Sequence, residues 1–186
     1  LKSTAFHESG HAVVSLNMPG SRPLHKVTVI PRGEALGANF FLPERDEYHF
    51  SKSFLLGQIA ISYGGRLAEE LFLTDVCTGA SNDIQQASGL ARKMVTEWGM
   101  SEKLGMGRYT ASEERMFMGG EITRSKSFSE ETARIIDEEI MRIQKECYER
   151  ARIILQERGE AVARLAENLM IYETLSGDEV RIICEG

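Results

Sequence analysis

His7-Glu8-Ser9-Gly10-His11, an HExxH pattern, defines the helix around which the amino-terminal part of this chain is expected to fold. Two histidines four positions apart lie on the same face of an α-helix, so His7 and His11 can bind one metal ion together. Glu8 lies beside them, where its carboxylate can take a proton from a metal-activated water and return it to a leaving amine. The pattern therefore predicts a zinc hydrolase in which His7 and His11 are metal ligands and Glu8 is the general base and acid.

A catalytic zinc needs a third protein ligand and an open fourth position, whereas a structural zinc normally has four Cys or His ligands. The extended HExxHxxGxxH pattern is excluded, because Val14 and Asn17 stand where it requires Gly and His. His25 and His49 have no ligand-like spacing and are expected to be surface or core residues. The third ligand is therefore predicted to be an acidic side chain.

Two sets of acids are candidates for this third ligand. Glu69 and Glu70 lie near the end of a predicted helix, and Asp83 lies in the first turn of the next one. Asp83 could instead complement a helix N-terminus, and the glutamates could form a solvated face or pair with Arg66 or Arg92. Spacing alone leaves the choice open.

Composition favours one compact domain that binds no nucleic acid. The 186 residues are 42% hydrophobic, enough for one good core. Lys and Arg total 22 against 28 Asp and Glu, a net charge of −6, and no basic cluster is present.

Three separate cysteines form no CxxC pair and are expected to be reduced: Cys77, Cys147 and Cys184. No apolar run is long enough to predict membrane contact. Only six residues precede His7, so we expect the chain to be part of a longer protein.

The hydrophobic pattern predicts a mainly α fold with a small β-sheet, an α+β architecture ending in a helical lobe. The Gly64-Gly65 pair is expected to permit close helix packing, and Gly99 to Phe128 is expected to form a long loop. The predicted elements are a helix through Leu16, strands at Leu24–Ile30 and Ala38–Leu42, and helices from Ser51 to Leu73, from an N-cap at Ser81 to about Trp98, from Ser129 to Gly159, on through Leu169, and after Ser176.

Several blocks of sequence resemble the FtsH family of membrane-anchored, ATP-dependent zinc proteases. They occur in family order and are HESGHAVV, VTVIPRG, YGGRLAEELF, TGASNDIQQA, MVTEWGMSEKLG and YETL. The resemblance covers nearly the whole chain, and it is to the peptidase domain only. It implies one metallopeptidase domain over residues 1–186, with a zincin-like motif helix and sheet followed by a helical lobe.

The resemblance also implies how the site and the parent protein work. The third zinc ligand of the family is the aspartate of the ASND block, here Asp83, which leaves Glu69 and Glu70 with orienting or structural roles. The family cleaves unfolded, damaged, short-lived or membrane proteins. It works as a homo-hexamer, with ATP and Mg²⁺ bound by an ATPase module of the same parent chain. A bacterial inner membrane, on its cytoplasmic side, is the expected location, with an organellar inner membrane as the alternative.

Two further hypotheses concern the use of these elements. An extended substrate could pair with the edge of Val27–Ile30 or Ala38–Leu42, although both strands could equally serve only as core packing. The chain could also be an assembly module whose zinc is structural or lost, with the helices from Ser129 to Met170 serving oligomerisation. The intact Glu8 argues against this second reading, because a non-catalytic site has no chemical need for it.

Overall fold

The computed structural model describes residues 1–42, 49–110, 112–113, 124–125 and 128–186. Within these ranges the helices are α1 (Lys2–Leu16), α2 (Lys52–Phe72), α3 (Ser81–Thr96), α4 (Glu130–Glu157), α5 (Gly159–Tyr172) and α6 (Gly177–Glu185). The strands are β1 (Leu24–Thr28), β2 (Ala38–Phe41), β3 (Ser112–Glu113), β4 (Arg124–Ser125) and β5 (Thr174–Ser176).

The predicted mainly α fold with a small sheet is confirmed. Its larger sheet has the strand order β2-β1-β5, and both pairings are antiparallel. Val27 in the central strand faces Asn39 of β2 on one side and Leu175 of β5 on the other. The sequence prediction missed β5, because three residues between two helices are too few to establish a strand pattern and their partner lies at the other end of the chain.

Helix α1 lies at the centre of the molecule. It packs against α2 and α5, and every residue from Ala5 to Ser15 is buried. A helix that is buried on all sides carries no polar stripe, so the motif residues it presents are enclosed by other elements. The helix ends at Leu16, ahead of Pro19, as predicted.

Two glycines let α1 and α2 meet backbone against backbone. A Cβ built on Gly10 would lie 2.1 Å from the carbonyl oxygen of Gly64, and one built on Gly64 would lie 2.7 Å from that of Gly10. Neither position can accommodate a side chain unless the helices separate. This geometry confirms the prediction that the Gly64-Gly65 pair permits close packing.

The helix starts agree with the prediction at three of four serines. Ser51, Ser129 and Ser176 cap α2, α4 and α6, because each side chain accepts a hydrogen bond from a backbone N–H in the first turn. The N-cap assignment of Ser81 is wrong. A short 3-10 turn, Thr78–Ala80, leads directly into α3, so Ser81 is already helical and makes no capping bond. Helix α3 also ends earlier than expected, at Thr96.

The predicted loop between Gly99 and Phe128 needs a correction. It contains the antiparallel pair β3–β4, which is too short to give a sequence signal. Residues 111, 114–123 and 126–127 lie outside the described residues. The start of the segment is held by a hydrogen bond from the Ser101 hydroxyl to Glu139 Oε1 of α4, at 2.7 Å.

The helical lobe follows the predicted periodicity. Helix α4 buries one stripe of side chains against the core: Ile136, Ile140, Ile143, Cys147, Ala151 and Leu155. The three cysteines are free, as expected, with Cys77 exposed and the other two buried. Among the helices described, none is long and apolar enough to cross a bilayer.

We predict that Gly10→Ala destabilises the protein by about 1–3 kcal/mol, because the added methyl group forces the two helices apart. The matched control is Gly89→Ala, an exposed position within α3 where a Cβ meets nothing within 4 Å. This control should gain up to about 1 kcal/mol, since alanine favours the helix. Urea unfolding of the zinc-loaded proteins measures both, and equal stabilities would contradict the proposed helix contact.

Candidate metal centre

Two helices, α1 and α3, bring the predicted ligands together. His7 and His11 of α1 have their Nε2 atoms 3.1 Å apart. Oδ2 of Asp83, in the first turn of α3, lies 3.1 Å from Nε2 of His7 and 3.3 Å from Nε2 of His11. In the described part of the chain these side chains form a group able to hold a metal ion. His25 and His49 are exposed and lie outside it.

The spacing of these three atoms fits zinc. Zinc binds histidine nitrogen and carboxylate oxygen at about 2.0–2.2 Å in a tetrahedron, whose corners are then about 3.3–3.6 Å apart. The three observed separations, between 3.1 and 3.3 Å, are close to the edges of one face of that tetrahedron. Three corners filled by protein leave a fourth for water or substrate, which is the pattern of catalytic sites.

Hydrogen bonds on the far side of each ring determine where its proton lies. Nδ1 of His7 lies 2.6 Å from Oε1 of Glu69, and Nδ1 of His11 lies 2.7 Å from the carbonyl oxygen of Ile61. A backbone carbonyl can only accept, and an ionised carboxylate also only accepts, so each Nδ1 carries the hydrogen. In the neutral rings both Nε2 atoms therefore present lone pairs to Asp83. This is the tautomer that metal coordination requires.

Three acceptor atoms that face one another need a cation between them. In the metal-free protein a proton on His11 supplies positive charge between these atoms, and the pKa of His11 therefore rises to about 9. Burial alone would lower this pKa, but the hydrogen bond and negative charge of Asp83 outweigh the burial. Burial likewise works to raise the pKa of Asp83, yet its hydrogen bonds with His11 and His7 hold it well below the usual range. The cluster therefore binds positive charge strongly.

Gly65 leaves the space that an ion needs. A Cβ at this position of α2 would lie 2.5 Å from Nε2 of His7 and 2.6 Å from Nε2 of His11. Any other residue would place its side chain against both nitrogens. These two nitrogens and Oδ2 of Asp83 are here called the metal-facing atoms. The second glycine of the pair thus keeps the centre open, a role that its sequence context did not reveal.

Glu69 contacts the far side of the His7 ring and does not join the three atoms that face one another. It is fully buried, and its Oε2 accepts a hydrogen bond from the backbone N–H of Cys77 at 2.8 Å, while Oε1 contacts His7. Glu70 lies apart from the site, exposed and bonded to the Tyr148 hydroxyl. Spacing could not separate these two acids from Asp83, because their distances to the histidines depend on how the helices pack.

Glu8 is buried beside the metal-facing atoms, on the side of α1 that faces β2. Its Oε2 accepts a hydrogen bond from Nδ2 of Asn39 at 2.6 Å. Burial raises the pKa of Glu8, opposed by the nearby His11 and His7 and by the Asn39 hydrogen bond. Sequence reasoning missed Asn39, although one polar residue in the apolar run from Ala38 to Phe41 was a possible signal.

We predict that Asp83→Ala lowers zinc affinity far more than Glu69→Ala or Glu70→Ala. Of these three acidic residues, Asp83 is the one that supplies a metal-facing atom. Glu69→Ala should weaken binding by about 10- to 100-fold, since the His7 ring loses its orienting partner. Glu70→Ala is the matched control and should bind zinc normally. Titration against a competing chelator measures all three. Full affinity in Asp83→Ala, or a loss in Glu70→Ala, would contradict the assignment.

We predict that zinc uptake releases about one proton near pH 8, because metal binding displaces the proton held at His11. The folded pKa, about 9, lies above the ordinary value of 6.5. Zinc affinity should therefore rise about tenfold per pH unit up to pH 9. The metal-free fold should lose the corresponding stabilisation as pH rises from 6.5 through 9. Calorimetry in buffers of different ionisation enthalpy counts the protons, and uptake at pH 8 without release would refute this picture.

The chain matches the sequence pattern of peptidase family M41 over residues 1–183. It is 51% identical to an ATP-dependent zinc metalloprotease FtsH of Magnetococcus marinus, over 96% of this chain and 27% of the relative. It is also 48% identical to FtsH 2 of Methylacidiphilum infernorum, over 96% and 28%, and 46% identical to FtsH of Myxococcus xanthus, over 100% and 29%. The chain thus spans less than a third of each of these relatives. Together with the HExxH helix, these matches show that the chain belongs to peptidase family M41.

Proposed function

We propose that this chain is a zinc-dependent endopeptidase domain, with His7, His11 and Asp83 as the zinc ligands and Glu8 as general base and acid. The observation that carries the proposal is the convergence of three acceptor atoms whose separations match a zinc tetrahedron. The names of the relatives support the metal, since each is called a zinc metalloprotease.

A catalytic role explains this ligand set better than a structural one. A structural zinc would have four Cys or His ligands, whereas here two histidines and one aspartate converge. A buried carboxylate beside the centre, Glu8, is costly to keep in a purely structural site. These two observations favour the peptidase over an assembly module with a structural or lost zinc.

The proposed chemistry divides between the metal and Glu8. Bound zinc supplies Lewis acidity, which makes water a stronger acid and stabilises negative charge on the peptide carbonyl oxygen. Glu8 accepts a proton from the attacking water and delivers it to the leaving amine nitrogen. Burial raises the pKa of Glu8 above its ordinary value, which makes the carboxylate a better proton acceptor for the first step.

Strand β2 is the proposed place for the substrate backbone. It forms one edge of the three-stranded sheet, and Asn39 within it contacts the carboxylate of Glu8. An extended peptide that pairs with this edge is held through its main chain, which suits cleavage with little dependence on side chains. The alternative edge, Val27–Ile30, suits a substrate less well, because Val27 and Thr28 already pair with both β2 and β5.

The proposed parent protein is larger than this chain. The relatives are named ATP-dependent, so we infer that an ATPase module of the same parent chain binds ATP and Mg²⁺ and delivers unfolded or membrane proteins. A homo-hexamer anchored in a membrane, with this domain on its cytoplasmic side, is the arrangement that we propose for the parent. Its substrates would be unfolded, damaged or short-lived proteins.

We predict that Glu8→Gln keeps zinc bound while kcat for a fluorogenic peptide falls by about 100- to 10,000-fold, because only the proton acceptor is removed. Zinc content is measured by atomic absorption, and Glu70→Gln is the control that should retain full activity. Unchanged cleavage by Glu8→Gln would reject the proposed mechanism. Cleavage by protein whose zinc has been removed would reject the zinc peptidase itself.

A further inference from the structure

Asn39 makes an unusual pair of contacts with Glu8. Its Nδ2 donates to Oε2 of the Glu8 carboxylate at 2.6 Å and to the backbone oxygen of Glu8 at 3.1 Å. One amide group thus holds both the side chain and the main chain of the same residue. The contact joins strand β2 to helix α1.

The orientation of the Asn39 amide follows from its neighbours. Both atoms that it approaches on Glu8 are acceptors, so the amino group must face them and the carbonyl Oδ1 must point away. That Oδ1 is buried and has no hydrogen-bond partner among the described residues. An unpartnered buried acceptor costs folding free energy, because its bonds to water are lost and not replaced.

The unpartnered Oδ1 of Asn39 therefore lowers the free energy of unfolding of the protein. An apolar side chain of similar size would remove the unpartnered acceptor, and the residues on either side of Asn39 are apolar, Ala38 and Phe40. What such a side chain could not do is donate a hydrogen bond to Glu8. The feature that sets asparagine apart at this position is its contact with the proposed base.

The Glu8 side chain is also confined near Oε1. A Cβ on Gly37 would lie 2.8 Å from both Cγ and Oε1 of Glu8, so only a glycine leaves room for the side chain there. Gly37 restricts the carboxylate at Oε1, and Asn39 holds it at Oε2. A flexible glutamate side chain is thereby fixed in one orientation before substrate binds.

We propose that Asn39 is a positioning residue for the peptidase reaction: it fixes the carboxylate of Glu8 in the orientation required for proton transfer. This inference rests on the proposed function, because it takes Glu8 as the general base. Asn39 contacts no metal-facing atom, so its contribution should fall on the chemical step and leave metal binding unchanged.

The primary test is Asn39→Leu in the zinc-loaded protein. We expect kcat for a fluorogenic peptide to fall about 10- to 100-fold, with KM and zinc content unchanged and a thermal midpoint that is equal or higher. Asn39→Asp has nearly the same shape but no donor, and it should lower kcat at least as much. The matched control is Asn168→Leu, which removes an asparagine whose side chain donates to the Arg164 carbonyl of α5. This control should leave kcat unchanged.

A double-mutant cycle separates positioning from a general structural effect. If Asn39 acts through Glu8, Asn39→Leu should cause no further loss of kcat in a Glu8→Gln background. Equal losses in both backgrounds would overturn the proposal, as would full activity in Asn39→Leu or a loss of zinc with it. Unchanged cleavage by Glu8→Gln would instead reject the proposed function, so the two failures can be told apart.

Discussion

The contact between Gly10 and Gly64 is the constraint on which the rest of the site depends. Because neither residue has a side chain, α1 and α2 approach until the backbone of each touches the other. Only at that separation can the His11 ring reach the carbonyl of Ile61 and the His7 ring reach Glu69. The packing of two helices therefore decides which nitrogen of each neutral ring carries the hydrogen.

The centre combines buried acceptors in a way that an ordinary core avoids. Two imidazole nitrogens and a carboxylate oxygen face one another, and a hydrogen-bond acceptor faces each ring from behind. A buried cluster of this kind is stable only when a cation or a proton occupies it. In the metal-free protein the pKa of His11 is raised to about 9, because a proton on this ring is stabilised by Asp83. The same contacts therefore favour a bound cation, either a proton or the proposed zinc ion.

Two features that lower the stability of the fold lie at Glu8, the proposed general base. Glu8 is a buried carboxylate whose pKa is raised by that burial, and beside it Oδ1 of Asn39 has no hydrogen-bond partner within the part of the chain that the structure describes. Proteins commonly retain such features where a reaction needs a preorganised polar group. The surrounding core supports them, since α1 is enclosed by α2, α5 and the sheet.

The sequence by itself determined the local elements and the chemistry of one helix. The spacing of His7 and His11 placed both rings on one helical face, and periodicity gave the helices and two of the strands, because these signals depend only on near neighbours. It could not choose between Asp83 and Glu69, identify β5, or detect Asn39. Each of these depends on contacts between residues far apart in the chain, which are set when α1, α2 and the sheet pack together. Tertiary structure alone decided that Asp83 faces the Nε2 atoms of the two histidines and that Glu69 contacts Nδ1 of His7.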